Sequence, residues 1–267
     1  MPIRRAVIAR LAFSSVLIGL AGCAISPSAN DPAANGPSSS GSSANASAAT
    51  PPLARQMSDG VPATIAPGVA AEYRAAVEAI AISDQEWRTM VSWGTDDPDE
   101  LARLEALDND ASMAEWGRRN AEGISLPKEK ADAYMAKQNV ADRANCEQLL
   151  SLVERLGWPS EDRLGLGTPD MTAVLIHMPM DMMGEALPLL RREALAGRMP
   201  PKRYAVVYDR KQQHDGAPQL YGTSQAFDPA TRTVLPPAIT DIDATNLARA
   251  EIGLEPLTEY RVVPAGS

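Results

Sequence analysis

The sequence predicts a mostly helical α+β domain, on three observations. Apolar residues recur at helical spacing through the first half. One segment of about thirty residues carries a single apolar stripe. After residue 200 the chain changes character, with two strand-like runs flanking Asp215-Gly216. The expected architecture is a set of N-terminal helices, one of them long (about 128–157). A C-terminal β-hairpin (about 204–225) then packs on them.

Residues 70–82 are Ala-rich, with Tyr73, Val77 and Ile80 at helical spacing. Ser83-Asp84-Gln85-Glu86 fits a helix-starting cap, with Ser83 capping and Glu86 three residues on. Asp96-Asp97-Pro98-Asp99-Glu100 is a second start, with acids and a proline in a first turn. The pattern continues over 113–120, and Pro127 opens the long helix. There Cys146, Leu149, Leu150, Val153 and Leu156 form the stripe, which Gly157 and Trp158-Pro159 end. Cys146 therefore reads as a buried small hydrophobe. Extended backwards, the stripe reaches Asn145 and Asp142, two polar side chains that need partners, either within the fold or in a pocket.

Residues 171–178 are apolar almost all round, as a buried helix or a short strand, and His177 is their strongly polar member. Pro188 sits near the first turn of a helix over about 186–196, closed by Gly197. Residues 204–208 and 219–223 read as strands. A two-residue Asp215-Gly216 loop would set Arg210 opposite Tyr221 and Tyr208 opposite Thr223; a loop longer by one residue would change that register. One ribbon face would then carry Tyr208, Arg210, Gln219, Tyr221, Thr223 and Gln225, with Asp209 on the other. A short helix over 244–252 and an extended piece finish the chain.

The N-terminus has a different logic. Arg4, Arg5 and Arg10 precede a short apolar run and then Leu20-Ala21-Gly22-Cys23, the three parts of a secretory signal. The last four residues resemble the lipobox of bacterial lipoproteins. That resemblance implies cleavage before Cys23, lipid on its sulfur, and a membrane as partner through that lipid. Ala24, where an Asp could stand, is what the lipoprotein sorting rule associates with the outer membrane of two-membraned bacteria. Three segments follow: a signal peptide (1–22), a lipid-anchored linker (23–65) and one globular domain (66–267). The linker is mostly Ser, Ala, Asn, Pro and Gly, too poor in apolar surface to order itself, and reaches about 30–35 Å.

The formal charge of −9 becomes −12 once residues 1–22, with three arginines and no acid, are removed. So acidic a chain is a poor partner for nucleic acid. With Cys23 lipidated, Cys146 is the one remaining cysteine and has no disulfide partner.

Trp158-Pro159, His177, Tyr208-Asp209-Arg210 and Gln219-Leu220-Tyr221-Gly222-Thr223-Ser224-Gln225 together resemble a bacterial family known only as a domain of unknown function. Asp142-Arg143-Ala144-Asn145, Arg249-Ala250, Gly253-Leu254 and Pro256-Leu257-Thr258-Glu259-Tyr260 extend the likeness over roughly 138–262. Two departures stand out: Ile176 replaces the Gln usual before the histidine, and Ser224 is inserted after Thr223. The resemblance implies no reaction.

His177, Asp209, Arg210, Gln219, Tyr221, Thr223, Gln225, Asp142 and Asn145 are the candidate binding or catalytic residues. A histidine oriented by Asp209 could act as a general base, with Arg210 and neighbouring donors holding an oxyanion or a carboxylate. No nucleophile elbow, metal-ligand spacing or cofactor fingerprint is present, so no metal and no cofactor is expected. Two readings follow: an envelope binding module for a cell-wall or envelope component, with a polar pocket near the hairpin, or an envelope hydrolase or transferase using His177 with Asp209 and Arg210.

Overall fold

The computed structural model describes residues 60–228, 231 and 233–264; the signal segment, Cys23 and most of the linker lie outside the described residues. The domain is built on two long antiparallel helices, α1 (Pro67–Trp93) and α4 (Lys128–Leu156). At one end the Tyr73 hydroxyl donates to the Gly157 carbonyl at 2.8 Å, and at the other the Trp87 N–H donates to Gln138 Oε1 at 3.1 Å. Between them Tyr73, Val77 and Ile80 of α1 and Cys146, Leu149 and Val153 of α4 are buried. At one end of this interface Arg163 Nη2 donates to the Pro62 carbonyl at 2.9 Å, and Ile65 packs against the core.

Two short helices, α2 (Pro98–Glu105) and α3 (Asn109–Ala121), return the chain from α1 to α4. The expected Asp97 start is present: its carboxylate accepts from the Asp99 and Glu100 amides, and Pro98 opens the helix. Arg119, 4% exposed, ties the return together by donating to the Trp93 carbonyl and to Glu100.

The Ser83 start, by contrast, is overridden. The stripe Tyr73, Val77, Ile80 runs on to Asp84, buried at 1%, so packing on α4 keeps α1 continuous to Trp93.

After α4 the chain turns at Gly157 (φ +77°) into Trp158, which is fully buried. Buried Glu193 fastens this turn, accepting from the Trp158 amide and from Arg198 and Arg192. Burial alone would raise its carboxyl, but the Arg198 bonds and the Trp158 amide hold it below the usual range.

Short α5 (Glu161–Leu164) and α6 (Thr172–Ile176) follow, then α7 (Met180–Leu195) and α8 (Pro201–His214), packed on each other. The ambiguous 171–178 run is thus one helical turn and its flanks. Pro188 lies inside α7 rather than in its first turn, leaving the Gly184 carbonyl without its helical donor.

The main correction concerns residues 204–225. The first expected strand lies within α8, because Pro201 opens a helix and Tyr204, Ala205 and Val207 bury its inner face. A five-residue apolar run reads equally as strand or helix, and here the helix prevails. Asp215-Gly216 ends that helix: Gly216 has φ +75°, and the Ala217 amide returns to the Gln212 carbonyl at 2.8 Å.

A strand pair does follow, farther along. β1 (Ala226–Asp228) runs antiparallel to β2 (Thr233–Leu235), with Ala226 opposite Leu235. β3 (Ala238–Ile239) runs parallel to β4 (Arg261–Val262), separated by α9 (Ile242–Glu251). The predicted class, α+β and mostly helical, holds. No helix among the described residues is long and apolar enough to cross a membrane.

Candidate functional site

The apolar stripes of α1 and α4 both turn polar at the same end of their interface. On α1 the stripe continues into Asp84 and Arg88, one turn apart; on α4 it continues backwards into Asp142 and Gln138. The antiparallel packing brings these four together as a buried polar layer. The Arg88 guanidinium pairs with Asp142, and Gln138 Nε2 donates to the other Asp142 oxygen at 2.8 Å. Gln138, fully buried, also engages the α1 backbone, accepting from the Trp87 and Arg88 amides and donating to the Ser83 carbonyl.

His177 joins the layer from the C-cap of α6. Its Nδ1 lies 3.0 and 3.1 Å from the two Asp84 oxygens. A carboxylate there requires a proton on Nδ1, so in the neutral ring Nε2 carries the lone pair and is an acceptor. Among the described residues, the side chain of His177 bonds Asp84 and no hydroxyl or thiol. Its side chain is 16% exposed, and Nε2 is not among the sealed polar atoms without a partner. The free edge of the ring therefore reaches solvent.

Among the described residues, Arg88 Nε in this layer and Asn145 Nδ2 on α4 are sealed without a hydrogen-bond partner. Asn145, 6% exposed, is one turn on from Asp142 and next to Cys146. The Cys146 thiol donates to the Val174 carbonyl at 3.5 Å, and burial, with Asp142 and Asp84 nearby, pushes it up to about 12. Cys146 is thus the inert buried residue that its place in the stripe implied.

The structure separates Asp209 from this site. Its carboxylate, fully buried, accepts from the Leu220, Tyr221 and Thr223 amides and from the Thr223 hydroxyl, all within 2.9 Å. Burial raises its carboxyl, and these bonds only partly offset that. Gln219 closes the same loop, its amide exchanging two hydrogen bonds with the Ser224 backbone. Gly222 has φ +63°, a left-handed conformation that side chains disfavour, and a Cβ there would also crowd Leu257 Cδ2 at 2.5 Å. Tyr221 packs edge-on against Tyr204 and Tyr208, and its carbonyl accepts from Arg249 at 2.6 Å.

The motif around 219–225 is therefore a loop clamp, not one face of a ribbon. The expected cross-strand pairing of Arg210 with Tyr221 and Tyr208 with Thr223 is absent, because residues 208–212 are helical. Arg210 is half-buried on α8, and Gln225 is exposed. His214 is exposed at the end of α8 rather than at a hairpin tip. It borders a shallow groove of about 600 Å³ with Met180, Gly184 and Lys211. No group of three or more metal-ligating side chains is assembled among the described residues.

Of the residues marked in the sequence, His177 and Asp142 lie in the polar layer, with Asn145 one helical turn on from Asp142, whereas Asp209, Gln219, Tyr221 and Thr223 meet in the clamp. Asp84, Arg88 and Gln138 were missed. Their signal was present: each is the i±4 continuation of an apolar stripe, the extension that marked Asp142.

The fold and the two constellations place the chain in a class: a helical α+β domain with a polar interhelical layer. Residues 118–264 match a family of unknown function, DUF6624, and the chain belongs to it. No curated protein and no solved structure matches the chain. The matched stretch holds His177, Asp142, Asn145 and the Asp209 clamp, whereas Asp84 and Arg88 on α1 lie before it. The carboxylate that orients His177 is thus supplied from outside the matched stretch.

Proposed function

We propose that this chain is a lipid-anchored protein of the cell envelope whose domain is a binding module for an envelope or cell-wall component. In this reading recognition takes place at the polar layer around His177. Export and anchoring are supported by the basic start, the apolar run and the lipobox residues ending in Cys23. The Ala24 rule assigns the anchor to the outer membrane where the cell has two membranes. Binding is carried by one observation: His177 is held through Nδ1 by buried Asp84, while its Nε2 edge has no partner among the described residues and reaches solvent. A side chain fixed on one edge and open on the other is preorganised for a ligand.

The Asp84 pair also favours a second reading, an envelope hydrolase or transferase. There His177 Nε2 takes the proton of an attacking water or acceptor hydroxyl, and Asp84 steadies the imidazolium that forms. Asp84 takes the role expected of Asp209, whose oxygens are committed to the loop.

The anchor is tested with Cys23→Ser, expected to abolish lipid labelling and move the protein from the membrane to the soluble fraction. Unchanged labelling would sink it. The site is tested by ligand capture from envelope extracts with the full-length chain in detergent, alongside His177→Ala and Asp84→Asn. Both variants are expected to lose about tenfold or more in captured ligand, one buried polar contact being worth that much. Equal capture by all three proteins would remove the layer from the function. Turnover of the captured ligand by the wild type, lost in His177→Ala, would select the hydrolase or transferase.

A further inference from the structure

We propose that one end of the domain, residues 62–69 together with the 165–167 loop, rests on the lipid surface that carries the anchor, with Leu166 as the side chain buried there. The proposal rests on the anchoring of Cys23 and adds how the domain sits on its membrane.

Leu166 is 84% exposed, the most exposed large apolar side chain among the described residues. Its loop holds it out. The Gly165 amide donates to the Glu161 carbonyl at 2.7 Å, and the Gly167 amide donates to Glu161 Oε1 at 2.8 Å. The Thr168 hydroxyl closes the turn on the Gly165 carbonyl at 2.7 Å. Gly165 and Gly167 have φ +92° and +77°, so the bends on either side of Leu166 are ones that other residues resist. A leucine presented on a loop already tied in place loses little freedom when a surface covers it.

The loop lies where the tether joins the domain. Arg163, three residues before Leu166, donates to the Pro62 carbonyl at 2.9 Å. Arg74 of α1 donates to the Leu164 carbonyl at 3.2 Å. Residues 60–71 carry no charged side chain in a chain that is 22% charged, and the first turn of α1 has no acid. Pro62, Ala63, Ala66 and Pro67 are exposed there, and Val69 is 42% exposed. This end therefore offers lipid an uncharged surface with a leucine beside it.

What covers it follows from the chain. Residues 24–59 connect Gly60, at this end, to Cys23, with a reach of about 30–35 Å. Burying one leucine shifts an equilibrium about tenfold or more. The connection to the anchor supplies the local concentration at which so small a gain suffices. Val140 is also exposed, but it lies about 24 Å along α4 from Leu156 and so far from the entry point. The pose carries Asp84, about 25 Å along α1 from Pro67, and with it His177, away from the headgroups.

The experiment is methyl NMR of the full-length chain, purified with its lipid and placed in nanodiscs of phosphatidylethanolamine and phosphatidylglycerol that carry a gadolinium-labelled headgroup. The Leu166 and Val69 methyl signals are expected to lose several-fold more intensity than Val140. Leu166→Ser should remove most of the loss at Val69 and leave the thermal melt unchanged, since so exposed a side chain has little packing to lose. Equal losses at Leu166 and Val140 would overturn the proposal, the domain then riding free on its tether. Loss at neither would overturn it as well and leave Leu166 to a protein partner.

The mass of the Cys23 peptide reports the lipid separately. If Cys23 is bare, the anchoring reading falls. A maleimide phospholipid coupled to its thiol then puts the Leu166 contact to the same test, because Cys146 is buried and escapes coupling.

Discussion

Asp209→Ala is expected to lose about 3–5 kcal/mol of folding stability, a large share of the 5–15 kcal/mol typical of a domain. The reason is arithmetic on donors. Three backbone amides and one hydroxyl converge on this carboxylate, and the Tyr221 amide among them is buried. Removing the acceptor strands each amide at about 1–3 kcal/mol, partly offset because a buried carboxylate no longer has to be desolvated.

Asp209→Asn fares little better, since its Nδ2 would face the Thr223 donors that Oδ2 now accepts. The pH dependence has a definite sign. Burial raises the carboxyl in the folded state, so the folded chain binds its proton more readily than the unfolded one. The stability from that proton is fully present below about pH 4, where the unfolded group titrates, and is lost as pH rises through the folded value. Urea titrations of wild type and variant at two pH values measure both effects. A loss under about 1 kcal/mol would show that the loop stands without its clamp.

This clamp shows where sequence reasoning succeeds and where it slips. The long helix and the Asp97 start could be read because each rests on local signals: a stripe, a cap, a proline in the first turn. The helix over 201–214 could not, because Tyr204–Tyr208 satisfies both periods and Asp215-Gly216 is equally a hairpin tip and a helix stop. Its neighbours decide, through the packing of α8 on α7.

The site divides in the same way. Asp142 and Asn145 announced themselves as polar residues on an apolar stripe. The partner of His177 did not, since Asp84 is ninety-three residues away and looked like part of a helix cap. The most specific motif, 219–225, is a loop gathered on the buried Asp209 carboxylate. A residue pattern reports that something is demanding there, and a buried carboxylate gathering amides is as demanding as a ligand.

Gln138→Leu is expected to cost about 2–4 kcal/mol and to weaken ligand capture together with it. Leucine is close in volume and keeps the packing, so the loss is polar rather than a cavity. Four contacts go: to the Trp87 and Arg88 amides, to the Ser83 carbonyl, and to Asp142. The last matters most, because Asp142 is 5% exposed and, among the described residues, would keep Arg88 alone for its buried charge.

The effect reaches function because Gln138 grips α1 along the turn that carries Asp84 and Arg88. Without that grip the turn is free to shift, and with it the carboxylate that orients His177. Gln138→Glu makes the complementary test. It retains an acceptor for the Trp87 and Arg88 amides but sets a second carboxylate against Asp142, so it should be at least as unstable as the leucine variant at neutral pH and recover part of that loss as the new carboxyl protonates in acid. Denaturant melts report the stability, and capture by the full-length chain reports the site. Leucine and glutamate variants that both kept wild-type stability and wild-type capture would show that α1 holds its course, and His177 its partner, without Gln138.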